Sequence, residues 1–234
     1  IFLWVPTEQE MGIVQRIFYF HVPAAISSFI AFFLVFVGSV QYLRTRIDKW
    51  DHLAQGAAEM GVILALIVLI TGPLWAKPIW GVYWRWEPRL TSMLILFTIY
   101  LAYLMVRSYG QPTPQPQRFA AVLGILGFVN VPLVYYSVHL WSPAQQLHPR
   151  NVALQPEMQL TRYICFAASF LLFWYLLCRC LRLERIADEI TARGLQSSNR
   201  IVVDLVDDHD CILRRAGGGV VERLGRTDLL RCQR

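Results

Sequence analysis

Long apolar stretches, separated by short polar segments, dominate the pattern of the chain. The uncharged stretches cover residues 22–43, 60–76, 90–106, 119–138 and 163–178. Each is close to the roughly 20 residues that a helix needs to cross the hydrocarbon of a bilayer. A backbone in lipid must satisfy its own hydrogen bonds, and the sequence lacks the alternating ten-residue pattern of a barrel. The pattern predicts an all-α integral membrane protein with about five visible transmembrane helices.

Composition agrees with this interpretation, because 56% of the residues are hydrophobic and only 16% are charged. The sequence begins at Ile1 and has no recognisable signal peptide. Its first residues, "IFLW", are typical of the end of a preceding span. We therefore expect a sixth transmembrane helix upstream in the intact chain.

The net charge of +6 is distributed beside the apolar stretches, so we assign it to membrane orientation and expect no nucleic-acid partner. Basic residues flank three connections on the same side: Arg44, Arg46, Lys49, Arg107, Arg118, Arg179, Arg182 and Arg185. The positive-inside rule places that side in the cytoplasm. The stretch before His21 and the loops 77–89 and 139–162 then face outward.

The segment "WGVYWRWEPRL", residues 80–90, concentrates three Trp, one Tyr, two Arg and one carboxylate on the predicted outer side. An interfacial aromatic belt is the plain alternative to a binding platform, and composition alone does not separate the two. His21 lies at the mouth of the first span, and His139 and His148 lie in or near the last outer loop.

A flat apolar ligand with anionic groups suits these residue types, because aromatic faces stack on it and guanidinium groups pair with carboxylates. Haem has this chemistry, and its iron binds neutral imidazole. The five Cys form no C-x-x-C or C-x-x-C-H motif. We therefore expect no zinc site, disulfide framework or covalent haem attachment on this chain.

Four segments together resemble the CcmC family, haem-handling membrane proteins of cytochrome c maturation in the WWD-domain group. "WGVYWRWEPRLTS" is similar to the signature W-G-x-x-W-x-W-D-x-R-L-T-S. "IFYFHVPAA" (17–25), "GPLWAKPIWG" (72–81) and "GFVNVPLVYYSVHLW" (127–141) resemble the segments that accompany it. The resemblance extends from about residue 10 to about residue 185.

The resemblance implies haem b as the cofactor and a defined set of site residues. His21 and His148 would be the axial ligands of the haem iron. His139 is a rival for the second position, because the spacing from Trp141 to His148 is longer than usual. Glu87 stands where the family has Asp. The remaining haem-binding residues implied are Trp80, Trp84, Trp86, Glu87, Arg85 and Arg89.

The resemblance also implies a role: the chain binds haem at the periplasmic face of the bacterial inner membrane and delivers it to a membrane-anchored haem chaperone. ATP-binding-cassette transporter subunits and a small single-span subunit would be its partners beside the lipid bilayer. No catalytic constellation is visible, so we expect no enzyme.

Two domains are predicted, a transmembrane haem-handling domain over residues 1–193 with the WWD segment at 80–92, and a polar cytoplasmic tail over 194–234 with the composition of a disordered segment. Two alternative functions remain open. One is a haem-lyase or cytochrome c synthase subunit of the same WWD group. The other is a secondary transporter or permease, which would use ionisable groups near the bilayer midplane or broken helices.

Overall fold

The computed structural model describes residues 1–108, 114–140 and 154–217, and its named elements within these ranges are all helices. No strand occurs within these ranges. The elements are a short 3-10 helix Ile13–Ile17, then α1 Phe18–Thr45, α2 Asp48–Trp80, α3 Pro88–Ser108, α4 Pro114–Phe128, α5 Asn130–Leu140 and α6 Pro156–Gly217.

Five helical segments of the described chain are long and apolar enough to cross a membrane. They are Ile13–Thr45, Asp48–Trp80, Pro88–Ser108, Gln115–Ser137 and Pro156–Thr191. The prediction of an all-α integral membrane protein with about five spans is therefore confirmed.

The fourth span is made of two helices, because the helical hydrogen bonding is interrupted at Val129 between α4 and α5. Pro132 has no N–H with which to bond the carbonyl of Phe128, one turn earlier. The N–H of Val129 bonds Leu126 O at 3.2 Å, three residues earlier, which is the pattern of a tighter 3-10 turn. A break at this proline is the expected response of a helix to a missing donor.

Helices α1 and α2 form the centre of the bundle and pack closely through small residues. Ala31, Ala57, Ala58 and Ala65 are fully buried. A Cβ added at Gly61 would lie 2.6 Å from Phe32, so the two helices meet at van der Waals distance there. Small residues are the usual means of close helix packing in lipid. Phe32 then stacks on Tyr100 of α3, with ring centroids 3.9 Å apart.

One end of the bundle gathers the first residues of the chain, the start of α1, the end of α2 and the start of α6. A cluster of buried side chains marks it, composed of Val5, Phe18, Tyr19, Trp75 and Met158. The other end carries the turn between α1 and α2, where Asp51 of α2 pairs with Arg107 of α3. His52 belongs to the first turn of α2 at that second end.

By contacts the chain separates into a unit Ile1–Leu181 and a second unit that begins at Arg182. Helix α6 continues to Gly217, so residues 194–217, which the sequence analysis assigned to a polar tail, are helical. The rest of that predicted tail lies outside the described residues.

Candidate functional site

A cavity of about 260 Å³ lies at the end of the bundle where α1 begins and α2 ends, and it is partly open. Its walls come from α1, α2, α3 and α5 together with one residue of the loop between α2 and α3. Most of the lining is apolar, including Phe18, Val22, Ala25, Leu69, Met93 and Val134. Four predicted site residues also line it: His21, Trp80, Trp84 and Arg89.

His21 lies in the first turn of α1 and is 8% exposed. Its Nδ1 is 2.9 Å from the hydroxyl oxygen of Thr71 on α2, and that hydroxyl lies 2.7 Å from the carbonyl oxygen of Ile67. The imidazole also meets the ring of Trp75 edge-on, with centroids 5.7 Å apart. Gly72 lies beside the ring, where an added Cβ would be 3.4 Å from His21 Cε1, an ordinary van der Waals contact. Two helices therefore fix the orientation of the ring.

The Trp-rich segment is held by the helix ends on both sides. Helix α2 ends at Trp80, and Gly81 follows in the left-handed conformation with φ 75°, which glycine adopts without steric cost. Lys77 reinforces this end by donating from Nζ to Gly81 O at 2.8 Å. Helix α3 begins at Pro88, a favourable first position because the missing N–H would have no helical partner. Only residues 81–87 connect the two helices.

The three signature tryptophans occupy different environments. Trp80 and Trp84 line the cavity and are half-buried. Trp86 is 74% exposed and packs edge-on against Trp84, with centroids 5.6 Å apart. The segment therefore presents one aromatic surface inside the cavity and a second outside it.

The charged residues of the segment are also divided between buried and exposed positions. Glu87 is only 1% exposed, and its carboxylate acts electrostatically on the guanidinium of Arg89. Its position directly before α3 favours a negative charge, because the N-terminal end of a helix is partially positive. Arg89 donates from Nη2 to Tyr135 O at 3.0 Å, which connects α3 to α5. Arg85 is exposed and does not line the cavity.

Three N–H donors on cavity-lining side chains are buried and have no acceptor among the residues that the structure describes. They are Trp75 Nε1, Trp84 Nε1 and Arg89 Nε. Buried donors normally have partners, so this set suits a ligand that brings oxygen acceptors. It also shows that the Trp84 indole does not donate to Glu87. A carboxylate would gain charge-assisted bonds from Arg89 in particular.

Sequence reasoning did not single out Thr71, and it did not predict that Trp75 contacts His21. Thr71 and Trp75 are four residues apart and therefore lie on one face of α2. The sequence shows that spacing. It does not show that this face of α2 packs against the first turn of α1, 50 residues away.

The second predicted iron ligand lies beyond the described part of the chain. His148 is outside it, and so are the side chains of Trp141 and Arg150. His139, the rival, belongs to α5, but its side chain is also outside the described residues. The second axial position therefore stays a prediction.

Comparison with known proteins gives a consistent result over most of the chain. A family model described as "Heme exporter protein C" matches residues 1–201. A protein named "Heme exporter protein C" from Paracoccus denitrificans is 34% identical over 197 residues, covering 81% of this chain and 79% of that protein.

Two further relatives extend the comparison. A protein of the same name from Escherichia coli K12 is 35% identical over 164 residues, which cover 68% of this chain and 65% of the relative. A "putative cytochrome c biosynthesis ccmC-like mitochondrial protein" from Marchantia polymorpha is 32% identical over 174 residues, which cover 73% of this chain and 74% of the relative. The similarity thus includes bacterial and mitochondrial relatives.

Proposed function

The chain belongs to the heme exporter protein C family, and on that premise we propose that it binds haem b and delivers it to a membrane-anchored haem chaperone during c-type cytochrome maturation. The observation that carries this proposal is the cavity in which His21, Trp80, Trp84 and Arg89 meet. It combines an imidazole, aromatic walls and a guanidinium, which are the groups that an iron macrocycle with carboxylates requires.

The size of the cavity supports partial enclosure of the macrocycle. At about 260 Å³ it is smaller than the roughly 300–1,000 Å³ of ordinary small-molecule sites, so part of a haem would project through the opening. The projecting edge would lie near the exposed ring of Trp86. A haem held in this way stays accessible to a second protein, as delivery demands.

The proposed roles of individual residues follow from their positions. His21 would bind the haem iron, and His148, which follows α5 in the sequence, would supply a second ligand, with His139 as its rival. Arg89 would hold a propionate, assisted by the indole N–H of Trp84 or Trp75. Glu87 keeps the Arg89 guanidinium in place by charge attraction. Arg85 lies outside the cavity and would contact haem only at its projecting edge or in the complex with the chaperone.

The wider proposal has the site at the periplasmic side of the bacterial inner membrane. ATP-binding-cassette subunits and a small single-span protein would assist the release of haem. The chain itself performs no catalytic step in this proposal: it binds, orients and hands over its cargo.

Absorbance spectra of the purified protein test the haem assignment. We expect a Soret band from the wild type in detergent, and a loss of six-coordinate haem in His21→Ala. His52→Ala is the matched control, because His52 lies at the other end of the bundle. His148→Ala and His139→Ala, measured in parallel, identify the second ligand. Unchanged spectra in His21→Ala would contradict the proposal.

A second measurement separates delivery from the alternative functions. Haem-loaded protein is mixed with the purified chaperone and, separately, with an apocytochrome c. The proposal predicts that haem moves to the chaperone, whereas a synthase would form thioether bonds to the apocytochrome. A protein that never acquires a Soret band, even with added haem, would favour the transporter interpretation.

A further inference from the structure

Thr71 contacts the His21 imidazole, and none of the four segments that carry the family resemblance contains it. It lies on α2, and its hydroxyl oxygen is 2.9 Å from His21 Nδ1 on α1. The same oxygen is 2.7 Å from the carbonyl oxygen of Ile67, one turn earlier in α2. The hydroxyl therefore stands between an imidazole nitrogen and a carbonyl.

The direction of these two hydrogen bonds follows from the proton count. A carbonyl oxygen only accepts, and a hydroxyl has a single proton to donate. That proton goes to Ile67 O, the nearer of the two neighbours. The hydroxyl oxygen must then accept from His21, so the imidazole proton is on Nδ1. In a neutral imidazole this leaves the lone pair on Nε2.

We propose that Thr71 is a positioning residue that fixes His21 as the Nδ1-protonated tautomer, so that Nε2 is the nitrogen that binds haem iron. The iron part of this inference rests on the proposed function, while the tautomer part does not. Metal-binding histidines generally donate from their second nitrogen to a neighbouring acceptor, which sets both tautomer and ring orientation. Edge contact with Trp75 further limits rotation of the ring.

A hydroxyl as the hydrogen-bond partner of His21 also suits a site that releases haem. A carboxylate at this position would add a charge to a buried environment and would make the imidazole more basic. A threonine that is already bonded to its own helix is a neutral acceptor and polarises the ring less. The resulting iron bond is weaker and exchanges more readily, as handover to another protein requires.

Nitrogen NMR of the haem-free protein tests the tautomer directly. Full-length protein is labelled with ¹⁵N-histidine in detergent, and His21→Gln identifies the His21 signals among the five histidines. We expect a protonated Nδ1 and an unprotonated Nε2 in the wild type. Thr71→Val should shift the population toward the Nε2-protonated form, and Thr71→Ser should restore the wild-type spectrum.

Thr98→Val is the matched control. Thr98 lies on α3 and bonds the carbonyl of Leu94 at 2.9 Å, so the substitution removes the same type of intrahelical bond on a helix that carries neither Thr71 nor His21. It should leave the His21 signals unchanged. A wild-type His21 protonated on Nε2, or an unchanged His21 tautomer in Thr71→Val, would overturn the inference.

Haem titration of the same variants examines the consequence for the iron. Thr71→Val should bind haem about tenfold more weakly, the usual cost of losing such a partner, with a smaller low-spin fraction and recovery in Thr71→Ser. If the wild type binds no haem, the proposed function fails and the NMR result alone decides the role of Thr71. If the wild type and Thr71→Val bind haem equally well, the positioning role is wrong while the proposed function stands.

Discussion

At the scale of single residues, the Trp-rich segment divides into buried and exposed members that its sequence does not distinguish. Trp84 lines the cavity and Glu87 is buried, whereas Trp86 and Arg85 are exposed. The residue types were enough to locate the segment in the sequence. A connection of seven residues, 81–87, has no helical or strand period, so its pattern cannot predict which side chains point inward.

Trp84 and Trp86 should therefore differ in function, and substituting each one alone tests this. Trp84→Ala should weaken haem retention by the isolated protein about 2- to 13-fold, because an aromatic contact contributes roughly 0.5–1.5 kcal/mol. Trp86→Ala should retain haem but slow its transfer to the chaperone. Gel filtration of loaded protein and a stopped-flow transfer assay measure the two effects. Equal retention losses in both variants would contradict the division.

Gly72 offers a graded test of the space beside His21. An added Cβ would lie 3.4 Å from the imidazole, an ordinary contact, so Gly72→Ala should keep the haem spectrum. Gly72→Val brings further methyl groups toward the ring and should reduce the low-spin signal, since a crowded imidazole cannot keep its orientation. A normal spectrum in Gly72→Val would show that the ring is less constrained than the distances indicate.

At the scale of helices, hydropathy predicted the number of spans but not their partners. Lipid is as apolar as a leucine-rich core, so the length of an apolar stretch says little about which face meets another helix. The small residues shared by α1 and α2 carry that information, and the distances there are short. A Cβ at Gly38 would lie 2.8 Å from the backbone oxygen of Trp50.

Gly38→Ala should destabilise the bundle, because backbone atoms must shift to admit the methyl group. We expect a loss of about 1–3 kcal/mol, the usual cost of overpacking, seen as a lower Tm in detergent. Gly194→Ala is the control, since a Cβ there meets nothing within 4 Å. Equal melting temperatures for Gly38→Ala and the wild type would mean that α1 and α2 separate easily at this point.

The ion pair at the opposite end of the bundle gives a second test of helix packing. Arg107 donates to both carboxylate oxygens of Asp51, at 2.6 and 2.7 Å, and to Gln55. The side chains are about one-tenth exposed, so Asp51→Asn should cost stability toward the lower end of the roughly 3–5 kcal/mol for breaking a buried pair. Exchanging the two residues, Asp51→Arg together with Arg107→Asp, should recover part of the lost stability. No change in Tm would show that the pair adds nothing to stability.

At the scale of the whole molecule, one end of the bundle in residues 1–181 holds the cavity, and the other end holds the Asp51–Arg107 pair. The basic residues beside the spans assign the loops to two sides from the sequence alone, and this sidedness stays a prediction. The cavity was not predictable in the same way. It needs His21 and Trp80, 59 positions apart by their numbers, to meet at one end of antiparallel helices. The sequence shows the residue types, but the cavity between these side chains depends on how the helices pack.

Delivery to a periplasmic chaperone requires the cavity to lie on the periplasmic side of the membrane. Single cysteine substitutions test this expectation. Val82 belongs to the connection 81–87, whose Trp84 lines the cavity, and it is 37% exposed. Ile47 lies in the turn between α1 and α2 and is 46% exposed. In intact cells a membrane-impermeant thiol reagent should label Val82→Cys more strongly than it labels the five cysteines of the unsubstituted protein. Ile47→Cys should react only after the membrane is permeabilised, since the basic residues around it favour the cytoplasm. The reverse pattern would place the cavity on the cytoplasmic side, where no periplasmic chaperone reaches it, and the proposed direction of haem delivery would then be wrong.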